Sequence, residues 1–543
     1  MNSKDKKAVV YIGIPVLVSF VYKLVLIWID RIPFNSDEAI VALMARHILQ
    51  GEFPVFFYGQ SYMGSLDAFL AALGFYIFGE EVWVIRFIQS ILYLGTVLIT
   101  VMLARQLFSS HKVGLYAGIL AAIPVVNVTL YTTVSLGGYG EALLIGNSLL
   151  LLALLIGRRK SRAAISDPGF SGLLILWGGL AGIGFWVMGL TLIYAVPGAV
   201  LIFWQLAEKK NSKQMIMSLM IISLAFAAGS SPWWLTAIKS GVSEFVSEMF
   251  GSAVSVSRFP KMLAPVQRFS NFLLLGGTVI LGMRPPWDVA WLMLPLIPGI
   301  LIFWFSVAYK VHNLLKKEIH RRQIYLLLLG PILILVLTYV FTPFGSDPSG
   351  RYFVPFVVPL SIFAGYFISK LDFSRAAWKP VLLGVVIIFN LGGTIQCLNQ
   401  YPPGLTTQFD QAAQIDHKPI GELIEFLTDN DLAAGYTNYW VAYPLAFHSG
   451  EDLVYLPKLP YHPDFRYTER DNRYTPYNHV VEKSNSLSYI IPDFPELEDY
   501  LEDSLRSRDI SWKERRIGEY LVIYDLSQTV RPKDIGLGIT TNP

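Results

Sequence analysis

The sequence predicts a polytopic α-helical membrane protein with a small α/β domain appended at its C-terminal end. Three observations predict it. Of 543 residues, 53% are hydrophobic and only 15% charged, whereas average soluble domains carry about 25% charged residues. Apolar stretches of roughly 20 residues, the length that crosses a bilayer, recur along residues 1–400. Beyond Cys397 the composition turns polar, and short β-rich runs alternate with helical ones. The expected division is 1–399 for the membrane part and 400–543 for the appended domain.

The net charge of +3 is small, and Lys and Arg are clustered between apolar runs. Clustering of that kind reports topology through the positive-inside rule, not nucleic-acid binding. The single Cys397 excludes an intramolecular disulfide and a cysteine-based metal site. No HExxH, P-loop or Ser-His-Asp spacing argues for metalloprotease, ATPase or hydrolase chemistry. Lys4, Lys6 and Lys7 resemble the charged region of a signal peptide, but the apolar run after them is too long and lacks a small-residue cleavage site. It is read as a retained first helix, residues 8–29, carrying one charge, Lys23.

With the first lysines inside, that span delivers Phe34-Asn35-Ser36-Asp37-Glu38 to the outer side. Residues 35–50 then read as an amphipathic helix, with Ile40, Leu43, Met44, His47 and Ile48 at helical spacing. It is too short and too mixed to span, as is a second helix at 65–78, so both are expected in the interface. A first external loop holding two helices is long for a connector. Further runs lie at 82–104, 113–130, 140–157, 172–188, 190–206, 215–236, 289–309, 324–341, 353–369 and 380–397. That makes about eleven transmembrane helices. Basic clusters at 105–112, 158–162, 209–213, 310–322 and 375–379 fall inside, while the turn at 132–138 has no Lys or Arg. The run 271–283 is too short to span and reads as re-entrant or interfacial. Parity then places the C-terminal domain on the same side as Asp37. In that domain, Tyr401 to Gly404 is a linker, 421–430 and 495–508 are helices, and 433–437, 453–456, 487–491 and 519–524 are strands.

The candidate chemistry gathers at one surface. Asp37 and Glu38 follow the first span; an acidic side chain at mid-bilayer costs about 2.5–3.5 kcal/mol, so they belong at its far surface. Locally they also fit a helix cap, Asn35-x-x-Glu38. A surface carboxylate can instead take a proton from an acceptor hydroxyl. Glu141, in Gly137-Gly138-Tyr139-Gly140-Glu141, is a second carboxylate at a span edge, read either as functional or as snorkelling to the interface. Tyr58, Gln60, Tyr62 and Tyr139 could line a sugar site, or serve as an aromatic interface belt. Arg351 could hold a phosphate bidentately or pair with Asp347; Arg258, Lys261 and Arg268 are further cations for that role. His47 reads as a helix-face residue, and the Asn127-Val-Thr129 sequon lies at a span end and is discounted.

A first span followed by Asp37-Glu38-Ala, two surface helices, many spans and an external domain resembles the GT-C glycosyltransferases. The resemblance is to the family 39 type, which includes protein O-mannosyltransferases and aminoarabinose transferases. Phe53-Pro54 through Tyr58-Gly59-Gln60 to Tyr62-Met63-Gly64-Ser65-Leu66 resembles the family's first-loop signature, and Ser349-Gly350-Arg351-Tyr352-Phe353 its late Arg-Tyr motif. The resemblance covers residues 1–400 and leaves the C-terminal domain unmatched. It implies a GT-C-like fold and transfer of a sugar from a polyprenyl-phosphate donor to a lipid, glycan or protein acceptor at the extracytoplasmic face of the plasma membrane. It implies Asp37 as catalytic base, supported by Glu38. No cofactor is expected, since basic residues could neutralise a monophosphate, and a metal requirement stays open. A transporter or flippase of lipid-linked sugars is the alternative. It should show charges near mid-span and internal symmetry, which the sequence lacks.

Overall fold

A computed structural model describes residues 3–159, 167–208, 211–247, 263–318, 322–347, 349–371, 378–400, 404–484 and 486–539. Arg258 and Lys261, parts of the basic clusters at 158–162, 209–213, 310–322 and 375–379, and most of the 401–404 linker lie outside the described residues.

The first run forms α1 (Ser3–Ile29). Then α2 (Ser36–Leu49) starts where expected, because the Asn35 side chain accepts the Glu38 N–H at 3.1 Å and satisfies one of the helix's orphan donors. A two-stranded hairpin, β1 (Phe56–Phe57) and β2 (Gln60–Gly64), leads to α3 (Leu66–Phe78) and α4 (Val82–Phe108).

The run expected at 113–130 is two helices, α5 (His111–Ala122) and α6 (Val126–Tyr131). Pro124 lacks an N–H and excludes helical geometry from the residue before it, and Ile123 accordingly sits at φ −123, ψ 77. Gly137 and Gly138, both at positive φ, turn the chain into α7 (Tyr139–Arg158). The next helices are α8 (Pro168–Val187), α9 (Leu192–Ala207), α10 (Ser212–Gly229), α11 (Ser231–Ser240) and α12 (Val242–Ser247). The expected run 215–236 is thus divided near Ser230, with Pro232 in the first turn of α11, where its missing N–H costs nothing.

The short run at 271–283 lies within α13 (Ala264–Asn271), a π-helical turn at Phe272–Gly276 and α14 (Gly277–Ile280). It is not among the helices long enough to cross a membrane. After it come α15 (Ile297–Lys317), α16 (Arg322–Phe341), a 3-10 helix at Arg351–Phe356, α17 (Val357–Ser369) and α18 (Trp378–Leu398). Among the described residues ten helical segments are long and apolar enough to span, and the protein is a multi-pass membrane protein. The eleventh expected position is the broken α5–α6 pair, which packs against α1 and α17.

The polar C-terminal region contains α19 (Ile420–Asp429), β3 (Ala434–Asn438), α20 (Tyr439–His448), β4 (Val454–Leu459) and α21 (Pro476–Lys483). It continues with β5 (Ser488–Pro492), α22 (Pro495–Arg506), β6 (Lys513–Ile517) and β7 (Tyr520–Tyr524). The sheet order is β4-β3-β5-β7-β6; β4, β3 and β5 run parallel, while β7 is antiparallel to β5 and to β6. Every residue of β3 and β5 is buried, as befits parallel strands covered on both faces. Lys513, Glu514, Arg515 and Arg516 keep the outer edge of β6 soluble and guard it against pairing with a further strand.

The chain forms two compact units. One comprises Met1–Ile29, Tyr62–Asp67 and Arg86–Cys397; the other comprises Asp30–Ser61, Ala68–Ile85 and Leu398–Pro543. The composition change at residue 400 therefore coincides with a unit boundary. Most of the first loop, however, folds with the C-terminal sheet, and α2 packs on α20. In the membrane unit Lys23 is fully buried. Its ammonium donates to the Thr129 carbonyl (3.2 Å) and to the hydroxyls of Thr132 (2.8 Å) and Thr133 (2.6 Å), and lies 4.8 Å from the centre of the Tyr93 ring. An amino group buried in this way is tolerated because its donors are satisfied.

Candidate active site

Asp37 occupies the first turn of α2 in the second unit. Its Oδ1 accepts a 2.6 Å hydrogen bond from the Tyr439 hydroxyl, contributed by the first residue of α20. The Ser36 hydroxyl donates to the Tyr439 carbonyl, so two side chains join the two helix starts. Asn438 fixes the start of α20 by accepting the N–H groups of Trp440 (3.0 Å) and Val441 (3.2 Å). The cap expected of the Asn35–Glu38 segment is present on the backbone, and the Glu38 side chain is fully buried.

Three further residues complete these surroundings. The Arg473 guanidinium lies 5.5 Å from the centre of the Tyr439 ring and donates to the Gly59 carbonyl at 3.3 Å. Burial pushes the Asp471 carboxyl up to about 7; Arg473 opposes that rise and Asp37 adds to it. Tyr461 is within electrostatic reach of Asp37, Asp471 and Arg473. Sequence reasoning missed Tyr439, Asp471 and Arg473. The one local signal was Asn438, a capping residue directly after a short strand.

Tyr58 lies in a different cluster of this unit. Its hydroxyl is 3.0 Å from His47 Nδ1 and donates to Glu52 at 3.0 Å, and its ring stacks on Tyr474 at 4.8 Å. His47 Nε2 is 3.0 Å from Glu451, which also accepts the Tyr477 hydroxyl at 2.7 Å. His47 lies on the buried side of α2, 4% exposed and bonded on both ring nitrogens. Gln60 lies in β2, half-buried.

In the membrane unit Arg351 opens the 3-10 helix after Gly350, whose φ of +75 only glycine adopts without strain. Its Nε is 2.7 Å from Asp347 Oδ2 and its Nη2 donates to the Tyr352 hydroxyl at 3.3 Å, leaving the side chain about a third exposed (34%). Tyr62, Tyr139 and Tyr352 lie within electrostatic reach of it. Three residues singled out in the sequence, Arg351, Tyr62 and Tyr139, are thereby grouped. Arg268 is half-buried, its side chain close to Gly345.

Glu141 does not snorkel: it is 2% exposed and neighbours Asp67, also 2% exposed. Asp67 accepts from Gln89 Nε2 at 2.8 Å and from the Ser135 hydroxyl. Burial raises the Asp67 carboxyl above its ordinary range, against the lowering effect of Ser135, Gly138 and Gln89. Asp67 stands in the first turn of an apolar helix, which was the signal for it in the sequence. Among the described residues no three His, Cys, Asp or Glu side chains cluster as metal ligands do.

The membrane unit also holds a small apolar cleft of about 40 Å³, whose walls include Leu120, Val128, Trp304, Phe353 and Val386. Asn127, Ser361 and Asn390 are its polar members. Asn127 Nδ2 donates to the Gly350 carbonyl at 3.1 Å, and Asn390 Nδ2 to the Ile123 carbonyl at 2.9 Å.

The architecture is that of the GT-C glycosyltransferases. It is shared with ArnT from Cupriavidus metallidurans bound to undecaprenyl phosphate, at 14% identity and a TM-score of 0.59, over 96% of this chain and 99% of that one. It is shared also with the archaeal oligosaccharyltransferase AglB from Archaeoglobus fulgidus, in complex with an inhibitory peptide and a dolichol-phosphate. There the identity is 11% and the TM-score 0.55, over 93% of this chain and 71% of that one. Residues 65–234 match the family profile described as dolichyl-phosphate-mannose-protein mannosyltransferase. No curated protein sequence matches the chain significantly. The profile match and the shared fold place the chain in the GT-C superfamily and indicate a glycosyltransferase.

Proposed function

We propose that this protein moves a sugar from a polyprenyl-phosphate carrier to an acceptor hydroxyl at the extracytoplasmic face of the membrane, with Asp37 as general base. The observation that carries the reading is Arg351, grouped with Tyr62 and Tyr139 and opening a 3-10 helix that walls a small apolar cleft. A polyprenyl chain is branched hydrocarbon, and apolar walls with few polar members suit the stretch of it next to the phosphate. Phe353 and Phe356 of the cleft wall belong to the 3-10 helix that Arg351 opens, so a chain in the cleft has a guanidinium nearby for its phosphate. ArnT with undecaprenyl phosphate and AglB with dolichol-phosphate support this choice of ligand.

In the reaction, Asp37 takes the proton of the acceptor hydroxyl as its oxygen attacks the anomeric carbon. The bond from that carbon to the phosphate oxygen breaks, and the polyprenyl phosphate departs with the electron pair. Arg351 stabilises the leaving phosphate, and Tyr62 and Tyr139 lie within its electrostatic reach. General-base help is worth typically 10²–10⁴-fold. The extracytoplasmic assignment rests on the basic inner loops and on the turn at 132–138, which has neither Lys nor Arg.

The test is incubation of the protein in nanodiscs with labelled polyprenyl-phosphate sugars and candidate lipid, glycan and peptide acceptors. Transfer accompanied by release of polyprenyl phosphate is the expected result. Movement of intact lipid-linked sugar between leaflets, without release, would assign a flippase instead.

A further inference from the structure

The hydrogen bond between Tyr439 and Asp37 joins residues 402 positions apart, in the last region of the chain and the first loop. Nothing about it is loose. The Tyr439 ring is 2% exposed and is held edge-on by Trp440 (4.7 Å between centroids) and Tyr443 (5.6 Å), with Arg473 over its face at 5.5 Å. Its carbonyl is tied by the Ser36 hydroxyl, one residue before Asp37. Burial lifts the phenol well above its ordinary pKa, and Asp37 adds to that, so the hydroxyl stays protonated and donates. Four groups thus fix the direction from which one proton reaches Asp37 Oδ1.

We propose that Tyr439 is a positioning residue for Asp37: by occupying Oδ1 it fixes the carboxylate plane and leaves Oδ2 as the oxygen that meets the acceptor hydroxyl. The C-terminal sheet domain then has a direct part in the chemistry, because the strand end that caps α20 also aims the base. This rests on the reading of Asp37 as the base. Arg473 serves the same end: it lies over the Tyr439 ring and bonds to the Gly59 carbonyl in the first-loop hairpin.

The experiment compares Tyr439→Phe, Asp37→Asn and Tyr455→Phe in steady-state transfer assays with polyprenyl-phosphate sugar, with Tm read alongside. Tyr455→Phe is the control, since it also removes a buried hydroxyl from this unit, one that donates to the Leu432 carbonyl at 2.8 Å. Tyr439→Phe is expected to lower kcat about tenfold, the effect of one hydrogen bond to a charged group. KM for donor and acceptor should stay within about twofold, because the ring and its packing remain. Tyr455→Phe is expected to shift Tm at least as much while leaving kcat unchanged. Wild-type kcat in Tyr439→Phe beside an inactive Asp37→Asn overturns the positioning role and leaves the base assignment standing. Full activity in Asp37→Asn overturns the base assignment itself. An equal fall in kcat for both Phe variants reduces the Tyr439 effect to general stability, and likewise overturns the proposal.

Discussion

Asp471 and Asp67 are carboxyls that folding withdraws from water, and their linkage to stability runs opposite to that of a salt-bridged aspartate. For Asp471 the unfolded value is about 3.9, while burial brings the folded value to about 7. The folded state therefore holds the proton more tightly, so the stabilisation is complete below about pH 4 and is lost as pH rises through about 7. Asp471→Asn removes that dependence. Its Tm should gain on wild type as pH goes from 5 to 8, by an amount on the order of 1–3 kcal/mol, as differential scanning fluorimetry in detergent would show. Asp67 is raised by the same cause, with Glu141 beside it. Glu141→Gln removes one of the two acids and offers Asp67 a donor. A higher Tm is expected; a lower Tm would mean that the pair is not short of a donor.

At the scale of elements, α6 has more to do than its six residues suggest. Pro124 separates it from α5, and the break brings Asn127 to the Gly350 carbonyl, 223 residues away, behind the 3-10 helix that begins with Arg351. Asn127→Leu is expected to destabilise by about 1–2 kcal/mol through the unpaired carbonyl. It should also weaken binding of polyprenyl phosphate, measured by native mass spectrometry, because Asn127 lines the cleft as well. Unchanged lipid retention would separate the cleft from the Arg351 segment.

The elements differ in how plainly the sequence announces them. Helices α2, α19 and α22 follow from apolar residues at helical spacing, α3 from an apolar run too short to span, and strands β4, β5 and β7 from short apolar runs, while β3, Ala-Gly-Tyr-Thr-Asn, carries a weaker signal. Helix α20 does not: nine of its ten residues are buried and Pro444 sits inside it, so it has no amphipathic period to detect. Strand β6, Lys-Glu-Arg-Arg-Ile, carries the composition of a loop because it is an exposed edge. Asp37 was legible from its position after the first span. Tyr439 was not, because a partner 402 residues distant leaves no periodic trace.

On the scale of the whole molecule, ten apolar helical segments among the described residues form the frame, and a second unit draws its residues from three stretches of chain, two of them within the first 85 residues. Most of the first loop belongs to the same unit as the C-terminal sheet. The central claim is that Asp37 removes the acceptor proton. Single-turnover transfer from a labelled polyprenyl-phosphate sugar, with wild type and Asp37→Asn at equal donor occupancy, tests it most directly. The expected result is a rate at least 10²-fold lower in the variant with donor affinity unchanged; an equal single-turnover rate in the two proteins would contradict the account.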